Sequence, residues 1–199
     1  MSSIKKARSS KPFLYTNRHK AAPFKRGFFY GKFQMTSLNI RSSSISDMAA
    51  LDAMFARSYP KALKADYPPS VLVTVLPLIS RAQPALVTSG TYFVAETDTG
   101  EIAGAGGWSP RLRKGHGDVR HVVTNWEFLR QGVASAIFEQ IFRDAWRAGI
   151  RQMFCNATRT AVPFYQAVGF RPLGEFAMQL RAGISFPAVR MERSLDNAC

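Results

Sequence analysis

A short loop, Arg130-Gln131-Gly132-Val133-Ala134, opens the strongest amphipathic helix pattern in the chain. Backbone N–H groups at a helix start have no intrahelical acceptor, and the helix dipole makes that end positive. Such a loop suits an anion of the pyrophosphate kind. A strand-like run, Asp118–Thr124, precedes it, and Ala161–Phe170 (AVPFYQAVGF) follows about thirty residues later. That second block ends a short helix at Gly169 and carries Tyr165 four residues earlier. A phenol, with a reference pKa of about 10, can hand a proton to a strong base forming beside it. Asp118 and His121 bring a carboxylate and an imidazole, either of which can take a proton from an attacking nucleophile. Strand alternation puts residues 118 and 121 on opposite faces unless a bulge intervenes, so only one of the two is expected to line a site.

These residues need a scaffold, and the patterning supplies one. Ser37–Arg41 reads as a short strand. Ser46 is the expected N-cap of a helix running to about Ser58, with Met48, Leu51, Met54 and Phe55 on its apolar face. Pro68–Ile79 reads as a second helix. Thr91–Glu96 and Glu101–Trp108 form a hairpin about an Asp98–Gly100 turn, and the small residues of the second strand invite close approach. Arg111–Gly117 is a basic, Gly-rich loop. Gly132–Ala148 places Val133, Ile137, Ile141 and Ala145 at i, i+4 spacing and stops at Gly149. Gln152–Asn156 is a strand, Ala161–Val168 a helix, and Phe176–Leu180 with Val189–Arg193 a last antiparallel pair. The order β α α β β β α β α β β predicts an α/β domain with a single mixed, mostly antiparallel sheet flanked by helices.

Hydrophobic residues make up 46% of the 199 and charged residues 20%, which are globular values rather than disordered ones. The net charge of +14 is unevenly spread. Residues 1–34 hold nine Lys/Arg and no Asp or Glu, whereas residues 35–199 hold 18 basic and 13 acidic. The tail therefore carries most of the excess. Its preferred reading is a start-site artefact, with Met35 the true beginning of a domain over 35–199. The alternatives are a basic arm for nucleic acid and a transit-like presequence. Two cysteines, Cys155 and Cys199, and three histidines show no metal-ligand spacing, so no metal is expected. They fit a reducing, cytoplasmic setting. No apolar run reaches membrane-spanning length, and no membrane association is expected.

The helix-start loop and the Phe164-Tyr165…Gly169-Phe170 block, in this order and at this distance, resemble the GNAT superfamily of acetyl-coenzyme-A-dependent N-acetyltransferases. The resemblance covers about residues 37–194. It implies an acyl-CoA N-acyltransferase fold and transfer of an acetyl group from acetyl-CoA to a primary amine. It implies that the backbone of Arg130, Gln131, Gly132, Val133 and Ala134 holds the coenzyme A pyrophosphate. Val122, Val123 and Thr124 would pair with the pantetheine arm as with a strand, the oxyanion would meet a backbone N–H near Val122, and Asn156 would border the acyl slot. Tyr165 stands where the family places its thiolate acid. Asp118 lies at about the distance before Gly132 at which histone-modifying relatives carry a catalytic glutamate; His121 is the rival base and Glu101 a distant third. Leu129, Asn125 and Thr160 depart from residues common in the family at their positions.

Blander roles stand beside these. Tyr165 alone could be a packed core tyrosine, Asp118 a strand-end turn residue, His121 a satisfied core histidine. Trp108 and Trp126 read as packing, and Cys155 as a small core residue rather than an acyl carrier. Arg111, Arg113 and Lys114 read as a solvated loop, or else as contacts to an acidic substrate or to cofactor phosphates. Competing functions are a non-catalytic acyl-CoA sensor and nucleic-acid binding through the tail. The second is not expected of the domain, which is only mildly basic. The scarcity of acids near the site argues against polyamines and aminoglycosides. A small-molecule or peptide amine is the expected acceptor, and a homodimer is compatible with the sequence.

Overall fold

The computed structural model describes residues 38–196. The readings made on the basic tail, on Met35 and on Cys199 lie outside them. Seven strands form one sheet in the order β1-β2-β3-β4-β5-β7-β6. They are β1 (Leu38–Ser42), β2 (Tyr92–Thr97), β3 (Ile102–Pro110), β4 (His116–Thr124), β5 (Gln152–Ala157), β6 (Arg171–Arg181) and β7 (Ile184–Ser194). All neighbours are antiparallel except β4 and β5. Helices α1 (Met48–Leu63), α2 (Pro69–Ile79) and α3 (Pro84–Val87) precede β2; α4 (Val133–Arg147) and α5 (Val162–Ala167) flank β5.

Helices cover both faces, which is why β3 is buried through seven consecutive residues, Ile102–Trp108. On one face Val133, Ile137, Phe138, Ile141 and Ala145 of α4 pack into the core with Met153, Tyr165 and Phe170. On the other, Leu51, Met54 and Phe55 of α1 meet Tyr92, Val94 and Ala105. A third cluster seats α2 on the β6–β7 hairpin through Val75 and Phe186. The small residues of β3 do admit close neighbours, and they are protein. A Cβ at Gly104 would lie 2.7 Å from Val133 Cγ1, and one at Gly106 2.8 Å from Val122 Cγ2. At Gly107 it would meet the Thr91 carbonyl and lie 2.7 Å from Tyr92 Cα, against backbone that cannot yield cheaply. Gly107→Ala should therefore cost about 2–3 kcal/mol, read from urea unfolding.

Several boundaries differ from the sequence reading. Ser44, not Ser46, caps the first helical segment; it forms a capping box with Asp47, whose carboxylate is bound by Arg41 at 2.9 Å. Helix α1 runs on to Leu63 through Pro60. The last pair is an 11-residue hairpin on each side, joined at Ala182-Gly183 with Gly183 at φ +75°. Its alternation is blurred because β6 is an exposed edge strand. Among the described residues no helix is long and apolar enough to cross a membrane, and no cluster of metal-ligating side chains occurs.

Candidate functional site

Strands β4 and β5 pair only at His116–Gln152, Gly117–Met153 and Asp118–Phe154. Beyond Asp118 they part, so the β5-side edge of β4 through Val122, Val123 and Thr124 is left without a neighbouring strand. The parting opens a cavity of about 690 Å³ running from the start of α4 to Tyr165. A second cavity of about 570 Å³ lies under the C-terminal end of α2 and against the β6–β7 hairpin. Tyr59, Val119, His121, Asn156 and Thr158 line both, so the two meet at the split in the sheet.

The larger cavity gathers nearly every residue singled out for acyl-donor binding. Val122, Val123, Thr124, Asn156 and Tyr165 line it, as do Arg130, Gly132, Val133 and Ala134. Gln131 does not; its amide turns back to the Glu127 carbonyl at 3.2 Å. Gly132 is the N-cap of α4 at φ +82° and Arg130 sits at φ +65°, so the loop turns twice through left-handed geometry. A non-glycine residue held there stores about 1 kcal/mol or more of strain, of the kind concentrated at ligand sites. No described group accepts a hydrogen bond from the backbone N–H of Arg130, Gln131, Gly132 or Val133. A cluster of open donors at a positive helix end is the right chemistry for a pyrophosphate.

Tyr165 is 8% exposed, ringed by Phe138, Phe164 and Phe170 at 5.3–5.9 Å between centroids. No described residue hydrogen-bonds its hydroxyl, and Tyr165 lines the cavity. Burial first, then the neighbouring Cys155 and Tyr59, raises its pKa well above the ordinary value. It stays protonated at neutral pH. Burial, and then the charge of Asp118, likewise pushes the Cys155 thiol up, which removes it as a nucleophile.

Asp118 and His121 were expected on opposite faces, and the structure overturns this. A bulge lets β4 gain a residue on β3 between Arg120 and Val123, with His121 at φ +49°. Both side chains consequently line the 570 Å³ cavity. Arg111 holds Asp118 Oδ1 through Nε at 2.8 Å and Nη2 at 2.5 Å. His121 stacks on Phe55 at 4.5 Å, and its Nε2 lies 3.0 Å from the Ile79 carbonyl. A carbonyl only accepts, so Nε2 carries the hydrogen and Nδ1 keeps the lone pair. Burial lowers the His121 pKa to about 4, with the Ile79 bond opposing it. At neutral pH the ring is uncharged.

That shift makes stability depend on pH. Above about pH 6.5 neither folded nor unfolded His121 is protonated, and it contributes nothing. Between about 6.5 and 4 only the unfolded state takes the proton, so stability falls with pH by about 3 kcal/mol over the window. His121→Phe should flatten this slope when urea midpoints are followed from about pH 7 to about pH 4.5.

The remaining candidates sort simply. Trp108 is core, its indole N–H bonded to Asp144 at 2.8 Å. Trp126 is 37% exposed, with the Lys61 ammonium over its ring. Glu101 accepts from the Asn125 side chain at 3.3 Å and lines neither cavity. Asn125 itself is buried, and its side chain caps the turn before the loop by accepting from the Glu127 N–H. The sequence reading missed Tyr67. Its hydroxyl donates to the Pro187 carbonyl at 2.9 Å and accepts from the Arg159 N–H at 2.8 Å, tying the α1–α2 corner to β7 and the start of α5. No periodicity marks a residue that acts by bridging segments this distant.

A mixed sheet split between two parallel central strands, with a helix N-terminus at one mouth of the split, defines an acyl-CoA N-acyltransferase fold. The family model "Acetyltransferase (GNAT) domain" matches residues 70–195. The chain belongs to the GNAT acetyltransferase family and is an acyltransferase. Among solved structures it is similar to the PaiA N-acetyltransferase of Thermoplasma acidophilum, crystallised with coenzyme A (TM-score 0.61, 13% identity, 79% of this chain and 99% of that one). A GCN5-related N-acetyltransferase of Rhodopseudomonas palustris gives TM-score 0.66 at 18% identity, over 82% and 99%. The ribosomal-protein-S18-alanine N-acetyltransferase of Escherichia coli gives 0.56 at 15%, over 80% and 94%. Comparison with curated protein sequences found no match.

Proposed function

We propose that this protein transfers the acetyl group of acetyl-CoA to a primary amine by direct attack of the amine on the thioester. The observation that carries the reading is a single cavity joining open backbone donors at the α4 N-terminus, an unpaired strand edge and the unpartnered Tyr165 hydroxyl. Acetyl-CoA would supply the activated acyl group; the chain supplies position and protons. The N–H groups of residues 130–133 would hold the pyrophosphate. The free edge of β4 at Val122–Thr124 would take the pantetheine amides as a strand takes a partner, and a backbone N–H of that edge would face the developing oxyanion.

Tyr165 is the proton donor to the departing thiolate. Its raised pKa favours the protonated phenol, the form an acid must hold before reaction. For the proton leaving nitrogen, His121 Nδ1 is the open acceptor at the junction of the cavities. A base this weak acts best after the nitrogen has bonded to the acyl carbon and become acidic. Asp118 is assigned to holding Arg111 at the cavity wall, since two guanidinium N–H groups occupy Oδ1. Calorimetric titration of the full chain with acetyl-CoA, followed by amine-dependent release of coenzyme A, tests the reading. A folded protein that binds no acetyl-CoA would end it.

A further inference from the structure

The 570 Å³ cavity has the size of a small-molecule site and an unusual wall. Four arginines line it, Arg111, Arg120, Arg181 and Arg190, against one carboxylate, Asp118. Arg111 and Asp118 neutralise each other. Among the described residues no carboxylate lies within 4.0 Å of Arg120, Arg181 or Arg190. Among the described residues Arg120 donates one side-chain hydrogen bond, to the Ser109 hydroxyl at 3.3 Å, and Arg190 rests over the Phe176 ring at 4.7 Å.

These cations come from separate parts of the chain. Arg120 lies on β4 just before the bulge, Arg181 at the hairpin tip, and Arg190 on β7 opposite Asn156. Arg120, Arg181 and Arg190 are solvent-exposed, so water screens their mutual repulsion, and their summed positive potential favours an anion that enters the space between them. Guanidinium groups present forked donors that match carboxylate or phosphate oxygens. The cavity joins the larger one at His121 and Asn156, so an amine anchored here by an anionic end would point its nitrogen at the split in the sheet.

We infer that the acceptor is a small primary amine bearing an anionic oxygen group, held by Arg120, Arg181 and Arg190. This rests on the proposed acetyl transfer. The same wall disfavours polyamines, whose second ammonium would meet three unpaired cations.

The test uses the full chain with acetyl-CoA and a panel of amino acids plus O-phosphoethanolamine. Each acid is paired with its neutral ester, and 1,4-diaminobutane is the cationic control. The expected result is a kcat/KM at least about 30-fold higher for one or more anionic amines than for their esters, and no turnover of the diamine. A carboxylate or a phosphate as the better anion identifies the group. Arg181→Gln and Arg190→Gln should each shrink the anion-over-ester ratio about tenfold, mainly through KM, with acetyl-CoA affinity within threefold of wild type. Equal rates for acids and esters, preference for the diamine, or no turnover of any anionic amine by a protein that binds acetyl-CoA would each overturn the inference and leave the acetyl-CoA site standing. Loss of acetyl-CoA binding in both arginine variants would overturn it too, assigning these cations to the cofactor. Absence of acetyl-CoA binding in the wild type would remove the proposed function and this inference with it.

Discussion

Gly132→Glu should lower acetyl-CoA affinity at least about 100-fold while the protein stays folded. The two effects separate because Gly132 faces open space. A Cβ there meets no atom within 4 Å, so the side chain starts out into open space. Its backbone cost comes from φ +82°, which a non-glycine residue adopts at about 1 kcal/mol. For a chain of this size that lowers Tm by about 2–4 °C. The functional cost is larger. A carboxylate would occupy the positive end of α4 where the pyrophosphate is proposed to sit, adding repulsion and competing for the same N–H donors. Gly132→Ala is the control: it carries the strain without the charge and should keep affinity within about tenfold. Calorimetry on the three proteins decides. Unchanged affinity in the glutamate variant would move the cofactor phosphates away from this loop.

Tyr165→Phe should reduce kcat about 100-fold, the lower range for loss of a positioned acid. Coenzyme A affinity should stay within threefold, and stability within about 0.5 kcal/mol. Stability is spared because no described residue loses a hydrogen bond, and the ring contacts with Phe138, Phe164 and Phe170 remain. The raised pKa adds a second expectation: Tyr165 contributes no alkaline limb to the kcat profile below about pH 10. Steady-state rates against pH, with coenzyme A binding measured alongside, give both. Indifference of turnover would assign the hydroxyl to packing. Binding without turnover in both proteins would make the domain an acyl-CoA sensor.

The legible part of this protein was local. A loop that ends in Gly132 and opens an amphipathic helix names its own chemistry, because donors left free at a helix start follow from helix geometry alone. The Val133, Ile137, Ile141 and Ala145 stripe fixed which face of α4 is buried, and all four are buried. The order of strands and helices was readable for the same reason: each element shows its own period and its own stop signal. Where the pattern was weak, the boundaries of the exposed edge strand β6 were lost and the four-residue α3 went unread altogether.

Three things only the tertiary structure decided. The bulge at His121 turned two residues meant for opposite faces toward one cavity, and nothing within β4 announces an extra residue that is defined by pairing with β3. The surroundings of the two candidate bases came from side-chain contacts that no periodicity encodes. Arg111 reaches across the β3–β4 turn to Asp118, while the sequence-distant α1 and the end of α2 enclose His121. The acceptor wall was invisible for the same physical reason. Arg120, Arg181 and Arg190 are unremarkable where they stand in the sequence, and a basic pocket exists only because the sheet order β5-β7-β6 carries the last hairpin to the open side of β4.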